Sequence, residues 1–212
     1  DGRVMLGVSL LMVLMALNGV ISQWMGFALL TILGVFTLIL YRGARHESDV
    51  NETAASVDEN LLEGGLPMAL LFLTAGLAGV LWGSDLMVDG AVGLAQQAGI
   101  SQAVIALSIV AIGTSLPELF ISLFASLRGQ TGLAIGNIIG SNISNILLIL
   151  GVVASLGPLN VSPEIGNRDV WVMLGVAILG LVLMRSARRM SRMEGLFSLF
   201  LYALYVSYLY LA

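Results

Sequence analysis

The chain has 212 residues, of which 58% are hydrophobic and only 10% are charged. A soluble domain carries about 25% charged residues, so the solvent of this chain is largely lipid. Its net charge is -4, it has no cysteine, and all nine basic residues are arginine, which excludes disulfides, thiolate metal sites and a basic nucleic-acid face.

Seven apolar stretches read as membrane segments, so the predicted fold class is all-α transmembrane. The first, Val4–Asn18, follows Asp1-Gly2-Arg3 and taken alone resembles a signal anchor. The second is Val20–Tyr41. A polar stretch, Arg42–Gly65, then breaks the pattern with Glu47, Asp49, Glu52, Asp58, Glu59 and Glu63, and reads as a mobile acidic linker. His46, the lone histidine, reads as a solvated residue of that linker. The remaining segments are Leu66–Val88, Gln102–Leu127, Gly132–Leu156, Val170–Met184 and Gly195–Leu211. The first and sixth are short against the roughly 20 residues a span needs. Asp85 and Asp89 fall at the outer end of the third, where they meet water, cap the helix or mark an ion entrance. Trp24, Trp82 and Trp171 suit interfacial belts.

Alternating the spans puts Arg3, Arg42, Arg45, Arg128, Arg185, Arg188, Arg189 and Arg192 on one side and Arg168 alone on the other. The positive-inside rule makes the first side cytoplasmic. The linker is then cytoplasmic and the C-terminus lies outside.

Val4-Met5-Leu6-Gly7-Val8 recurs as Val172-Met173-Leu174-Gly175-Val176. Each copy is followed by a short polar turn and a second apolar helix. Four spans lie between the copies, so they must point opposite ways, which is the pattern of an inverted-topology repeat. On this reading residues 1–41 are the last two helices of a first, truncated repeat. Residues 42–65 are the linker, and 66–212 form a second five-helix repeat. The chain is then a fragment whose partner is a missing N-terminal half or a second copy of itself. The plain alternative is a native seven-helix protein with a chance match.

The fourth segment contains Gly113-Thr114-Ser115-Leu116-Pro117-Glu118. A carboxylate inside hydrocarbon is costly unless it is paired, protonated or bound to a cation. Pro117 lacks an N–H and crowds the carbonyl four residues earlier, which frees carbonyls near Ala111–Gly113. Thr114 and Ser115 share a helix face with Glu118, and Ser122 and Ser126 extend the stripe. In the fifth segment Asn137, Ser141 and Asn145 form a polar stripe, and Gly132, Gly136, Gly140 and Ser144 a stripe of small residues that permits close helix packing. Hydroxyls, amides, carbonyls and one carboxylate are hard oxygen donors suited to sodium or calcium. For Ser122, Ser126, Asn142 and Ser144 hydrogen bonding between helices is the simpler reading. For Thr114, Ser115, Glu118, Ser141 and Asn145 together it is ion binding.

At these two motifs, Gly113–Glu118 and Gly136-Asn137 with Gly140-Ser141-Asn142-Ile143, the chain resembles the calcium/cation antiporter superfamily, which includes the sodium/calcium exchangers. The resemblance implies a fold of two inverted five-helix halves, of which this chain carries the second and the end of the first. It implies exchange of Na+ (in some members H+, in others also K+) for Ca2+ by alternating access, with no cofactor. It also implies that Thr114, Ser115 and Glu118 bind ions, that Ala111 contributes its carbonyl, and that Ser141 and Asn145 complete this half of the site. Asn145 stands where some exchangers have aspartate. The expected location is a plasma or bacterial inner membrane, with lipid as the surrounding partner. Rival readings are a channel or proton-coupled carrier using the same cavity, and an isolated structural half. An intramembrane enzyme is disfavoured, because the sequence has no HExxH motif and no in-span His or Lys to activate a serine.

Overall fold

The computed structural model describes residues 2–48, 65–100, 105–187 and 191–211. In chain order these form α1 (Gly2–Ala16), β1 (Val20–Ile21), α2 (Gln23–Ser48), α3 (Gly65–Gln97), α4 (Ala111–Thr114), α5 (Leu116–Leu127), α6 (Thr131–Ser144), α7 (Gly151–Leu156), β2 (Leu159–Asn160), α8 (Val170–Ala187) and α9 (Arg192–Leu211). Short π-helical turns precede α4 (Ala106–Val110), join α6 to α7 (Asn145–Leu150) and precede α8 (Ile165–Asp169). Most of the linker, including Asp49, Glu52, Asp58, Glu59 and Glu63, lies outside the described residues, as do Gln102, Arg188 and Arg189.

Helix starts follow local chemistry. Gly19 turns the chain at φ 73, and the backbone N–H of Met25 donates to Ser22 Oγ at 3.4 Å, opening α2. The N–H of Ile165 likewise donates to Ser162 Oγ at 3.5 Å, with Pro163 preset for a first helical turn. Ser191 and Glu194 form a reciprocal capping box at α9. The Ser191 N–H donates to Glu194 Oε2 at 2.7 Å, and the Glu194 N–H to Ser191 Oγ at 3.2 Å.

The described residues fall into two compact units. The first holds α1, β1, α2 and the run from α6 to α8. Its core gathers Met5, Val8 and Met15 of α1, Ile21, Leu29 of α2, and Ile139, Ile143, Leu147 and Ala154. Three of these, Ile139, Ile143 and Leu147, lie at four-residue spacing, so one face of the α6 helix and the turn after it carries the contact. The two strands pair antiparallel, Val20 with Asn160 and Ile21 with Leu159, and the N–H of Val161 donates to Gly19 O at 2.9 Å. Close backbone approach sets α2 on α7, where a Cβ added to Gly26 would stand 2.5 Å from Ser155 N.

Helix α1 packs antiparallel on α8. Gly2 faces Leu181 at one end, Gly166 faces the Ala16 carbonyl at the other, and Val13 and Ala16 cluster with Val170 between them. The two VMLGV copies therefore run in opposite directions. The second unit holds α3, the π turn before α4, α4, α5 and α9.

Several boundaries differ from those predicted. Val20 and Ile21 are strand, and the second helix begins at Gln23, because the Gly19 turn and Ser22 cap intervene. The sixth segment starts at Ile165, which gives it 20 helical residues through Met184, apolar on average despite Asn167, Arg168 and Asp169. Helix α3 continues to Gln97, so Asp85 and Asp89 lie within it and neither caps its end. Among the described residues, four helices can cross a membrane by length and composition: Gln23–Gly43, Pro67–Gln97, Thr131–Leu156 and Ile165–Met184. The bent pair Ser108–Thr114 and Leu116–Leu127 makes a fifth if counted as one span. At 15 residues, α1 is shorter than these.

Candidate cation-binding site

In the second unit the predicted ligands surround a helix break. The two arms, Ser108–Thr114 and Leu116–Leu127, meet at 50°. Ser115 is the pivot, at φ -93 and ψ -1. Its N–H donates to Ile112 O at 3.0 Å, one residue short of the α-helical partner Ala111. The Ala111 carbonyl takes Thr114 Oγ1 at 3.1 Å. Two residues past the pivot, Pro117 supplies no N–H to the Gly113 carbonyl. The break thus has the cause read from the sequence, and it exposes Ala111, Thr114 and Ser115.

Glu118 sits in the first turn of α5, where the unbonded N–H groups of a helix start favour negative charge. The residue is half-buried and its Oε2 is closed to solvent. The other wall of the break is tight. Gly113 is buried, and a Cβ there would collide with Cγ2 of Val88 on α3. A cavity of about 140 Å³ between α3 and this helix is lined by Met87, Val88, Ala91, Ile109, Ile112, Gly113 and Leu116 and is almost wholly apolar. It therefore offers a cation no ligands.

In the first unit Asn137 and Ser141 are half-buried and Asn145 is exposed. Helical spacing sets this stripe roughly opposite the buried Ile139, Ile143 and Leu147. Asn145 stands where the α-helix passes into a π-helical turn. Its N–H reaches the carbonyls of Ser141 and Asn142, and the π-helical turn Asn145–Leu150 begins there. Single π turns inside α-helices are frequent at functional sites. Nothing among the described residues comes within 4 Å of a Cβ placed on Gly132, Gly136 or Gly140, so this small-residue stripe is open. Asn142, read as a structural hydrogen-bonder, donates to Ile138 O at 2.8 Å within its own helix.

The structure therefore brings Ala111, Thr114, Ser115 and Glu118 together on one unit, and Ser141 and Asn145 on the other. The sequence reading passed over Ser108, which is 3% exposed one turn before Ala111. Its position seven residues before Ser115, on the same helical face, was the available signal.

Long apolar helices, one broken at a proline beside a half-buried carboxylate, define a polytopic membrane protein. A family model described as sodium/calcium exchanger protein matches residues 68–211. The chain belongs to the sodium/calcium exchanger family. It is similar to the protein CaxA of Alkalimonas amylolytica, with 47% identity over 131 residues covering 60% of this chain and 41% of that protein. It is similar to a sodium/calcium exchanger of Methanosarcina acetivorans, with 45% identity over 51% of this chain and 31% of that one. The inner membrane protein YrbG of Escherichia coli is 41% identical over 67% of this chain and 43% of its own length. The chain thus spans less than half of the length of each of these relatives. No solved structure matches the chain significantly.

Proposed function

We propose that this chain carries one of the two ion-binding repeats of a secondary antiporter that exchanges Na+ or H+ for Ca2+ by alternating access. The observation that supports this most is Glu118, a carboxylate closed off from solvent at its Oε2 beside a helix break at which Ala111, Thr114 and Ser115 are exposed. Thr114, Ser115, Glu118 and the Ala111 carbonyl supply oxygen ligands, and the family resemblance adds Ser141 and Asn145. A second carboxylate, from a repeat outside this chain, completes the charge needed to neutralise one Ca2+ or two Na+. An empty site leaves buried charge uncompensated, which penalises crossing the membrane unloaded and favours exchange over leak. Asn145 brings no charge, so proton substitution at this half of the site rests on Glu118.

The same reading takes seven crossings, a cytoplasmic linker and an outward C-terminus in a plasma or bacterial inner membrane. The β1–β2 pair favours this topology, because loops that pair must lie on one side of the membrane. Four crossings separate them in the proposed arrangement. The antiparallel α1–α8 contact favours the inverted repeat.

The test is calcium flux into vesicles holding the complete protein, driven by a sodium or a proton gradient. Glu118→Gln is expected to abolish exchange with either driving ion. Normal exchange in that variant refutes the reading, and flux that needs no counter-ion favours a channel.

A further inference from the structure

We infer that the apolar cavity between α3 and the broken helix is a binding site for one compact, uncharged molecule of benzene size, and that its occupant braces the break. The site stands on the geometry of α3, α4 and α5 alone. Its effect on transport rests on the antiport reading above.

Small residues make the cavity. Val88 of α3 closes on Gly113 so tightly that a Cβ there would collide with Val88 Cγ2, which sets how near the two helices come. Beside that contact Gly113 has no side chain and Ala91 offers only a methyl, so about 140 Å³ remains between the helices. Interiors pack with few spaces larger than a water molecule, so a space of this size is a feature of the fold. Gly113 and Leu116 lie buried at its deep end, and Met87 and Ile112 are exposed at its rim.

The lining selects the occupant. It is aliphatic apart from one thioether and presents almost no polar surface. A buried water needs several polar partners and a cation needs oxygen ligands, so neither fits. An apolar cavity of about 150 Å³ takes benzene or xenon. An acyl chain runs through half of a hydrocarbon core about 30 Å thick, which is far longer than a cavity one ring across. Met87 places an unbranched, polarizable side chain at the mouth, able to adapt to the shape that enters. A molecule this apolar partitions into the bilayer and reaches the rim from there.

Position gives the occupant its effect. Ile109 and Ile112 lie on the arm before the pivot Ser115, and Leu116 lies on the arm after it. Their spacing of three and four keeps them on one face across the break. One molecule seated there touches both arms and α3 together. It fits the arms at 50° and loses contacts at other angles. A ligand that prefers one arrangement shifts the population toward it. None of the proposed ion ligands lines the cavity, so the occupant slows exchange without competing with Ca2+.

The test uses the complete protein in lipid vesicles with phenyldiazirine as a photoreactive probe, and labelled positions are read by mass spectrometry. Saturable labelling of Met87, Ile109 or Leu116 is expected, with benzene lowering it severalfold. Ala91→Leu fills the cavity and is expected to abolish that labelling. Should Ala91→Leu fail to fold, Ile109→Ala enlarges the cavity, and naphthalene is then expected to displace the probe better than benzene does. Benzene is also expected to raise the thermal unfolding midpoint of the wild type and not that of Ala91→Leu. Labelling that does not saturate, spreads evenly along α3 or survives Ala91→Leu overturns the site. Displacement by hexadecane as readily as by benzene would make it an acyl-chain groove and overturns it as well. Calcium exchange separates this site from the antiport reading. Benzene is expected to lower the maximal rate severalfold in the wild type, with the half-saturating calcium concentration unchanged, and to spare Ala91→Leu. Saturable labelling with exchange untouched refutes the brace. A complete protein that is labelled and stabilised yet never exchanges calcium refutes the antiport reading and leaves the site standing.

Discussion

Gly26 and Ser155 bring two helix backbones into direct contact. A methyl group at Gly26 would stand 2.5 Å from Ser155 N and 2.7 Å from the Ala154 carbonyl carbon, with no flexible side chain able to yield. Gly26→Ala is therefore expected to force α2 and α7 apart and to cost about 1–3 kcal/mol. Gly34→Ala on the same helix meets nothing within 4 Å and is expected to be neutral or slightly stabilising. Thermal unfolding of the two variants in detergent compares them. Equal midpoints would refute the close contact.

A second glycine tests the geometry of the break. Gly113→Ala is expected to be destabilising, because its methyl meets Val88. That neighbour is a side chain, so Val88→Ala should recover much of the loss when combined with it. The expected coupling between the two substitutions is about 1 kcal/mol or more, read from a double-mutant cycle of unfolding. Additive effects would mean that Val88 does not press on Gly113.

Thr114 offers a substitution that changes chemistry and keeps shape. Thr114→Val removes the hydroxyl that donates to the Ala111 carbonyl and stands beside the proposed ions. Losing one ligand to a charged group is worth about 1.5–3 kcal/mol, so calcium exchange is expected to fall roughly tenfold or more. Thr114→Ser keeps the hydroxyl and should retain most of the flux. If Val and Ser behave alike, the hydroxyl is not a ligand.

The capping box at α9 predicts a pH dependence. The Ser191 backbone N–H, aided by the Ser191 side chain, holds the Glu194 carboxyl below its usual value of 4.5. A carboxyl whose pKa is lowered on folding adds stability above its unfolded pKa. That contribution fades as pH falls through the lowered folded value. Circular dichroism of the wild type and Glu194→Gln is expected to differ near neutral pH and to converge below about pH 4.5. A difference that is unchanged across the titration would place the cap elsewhere.

The motif residues and the break were legible in the sequence because their causes are local. A proline without an N–H and a carboxylate among apolar neighbours can each be read within a few positions, whereas the crowding of Gly113 by Val88 of α3 cannot. Helix ends were less legible in places. The pattern at 159–163 hid a strand pair made with Val20 and Ile21, and that pairing depends on residues about 140 positions away in the chain. It also hid the Ser162 cap, so the helix was begun at Val170 and not at Ile165. Asp85 and Asp89 misled for a related reason. Acidic residues signal a membrane helix end by composition, yet α3 continues unbroken to Gln97. The open glycines of α6 show a further limit, because small residues mark where a helix can approach without saying which helix does.

The ribbon of β1 and β2 has a mechanical consequence. Paired at Val20–Asn160 and Ile21–Leu159, and extended by the Val161 bond to Gly19, it ties the turn after α1 to the turn after α7. In the alternating access proposed above, these two turns would move in step, with the four helices they join shifting as one body instead of sliding past each other.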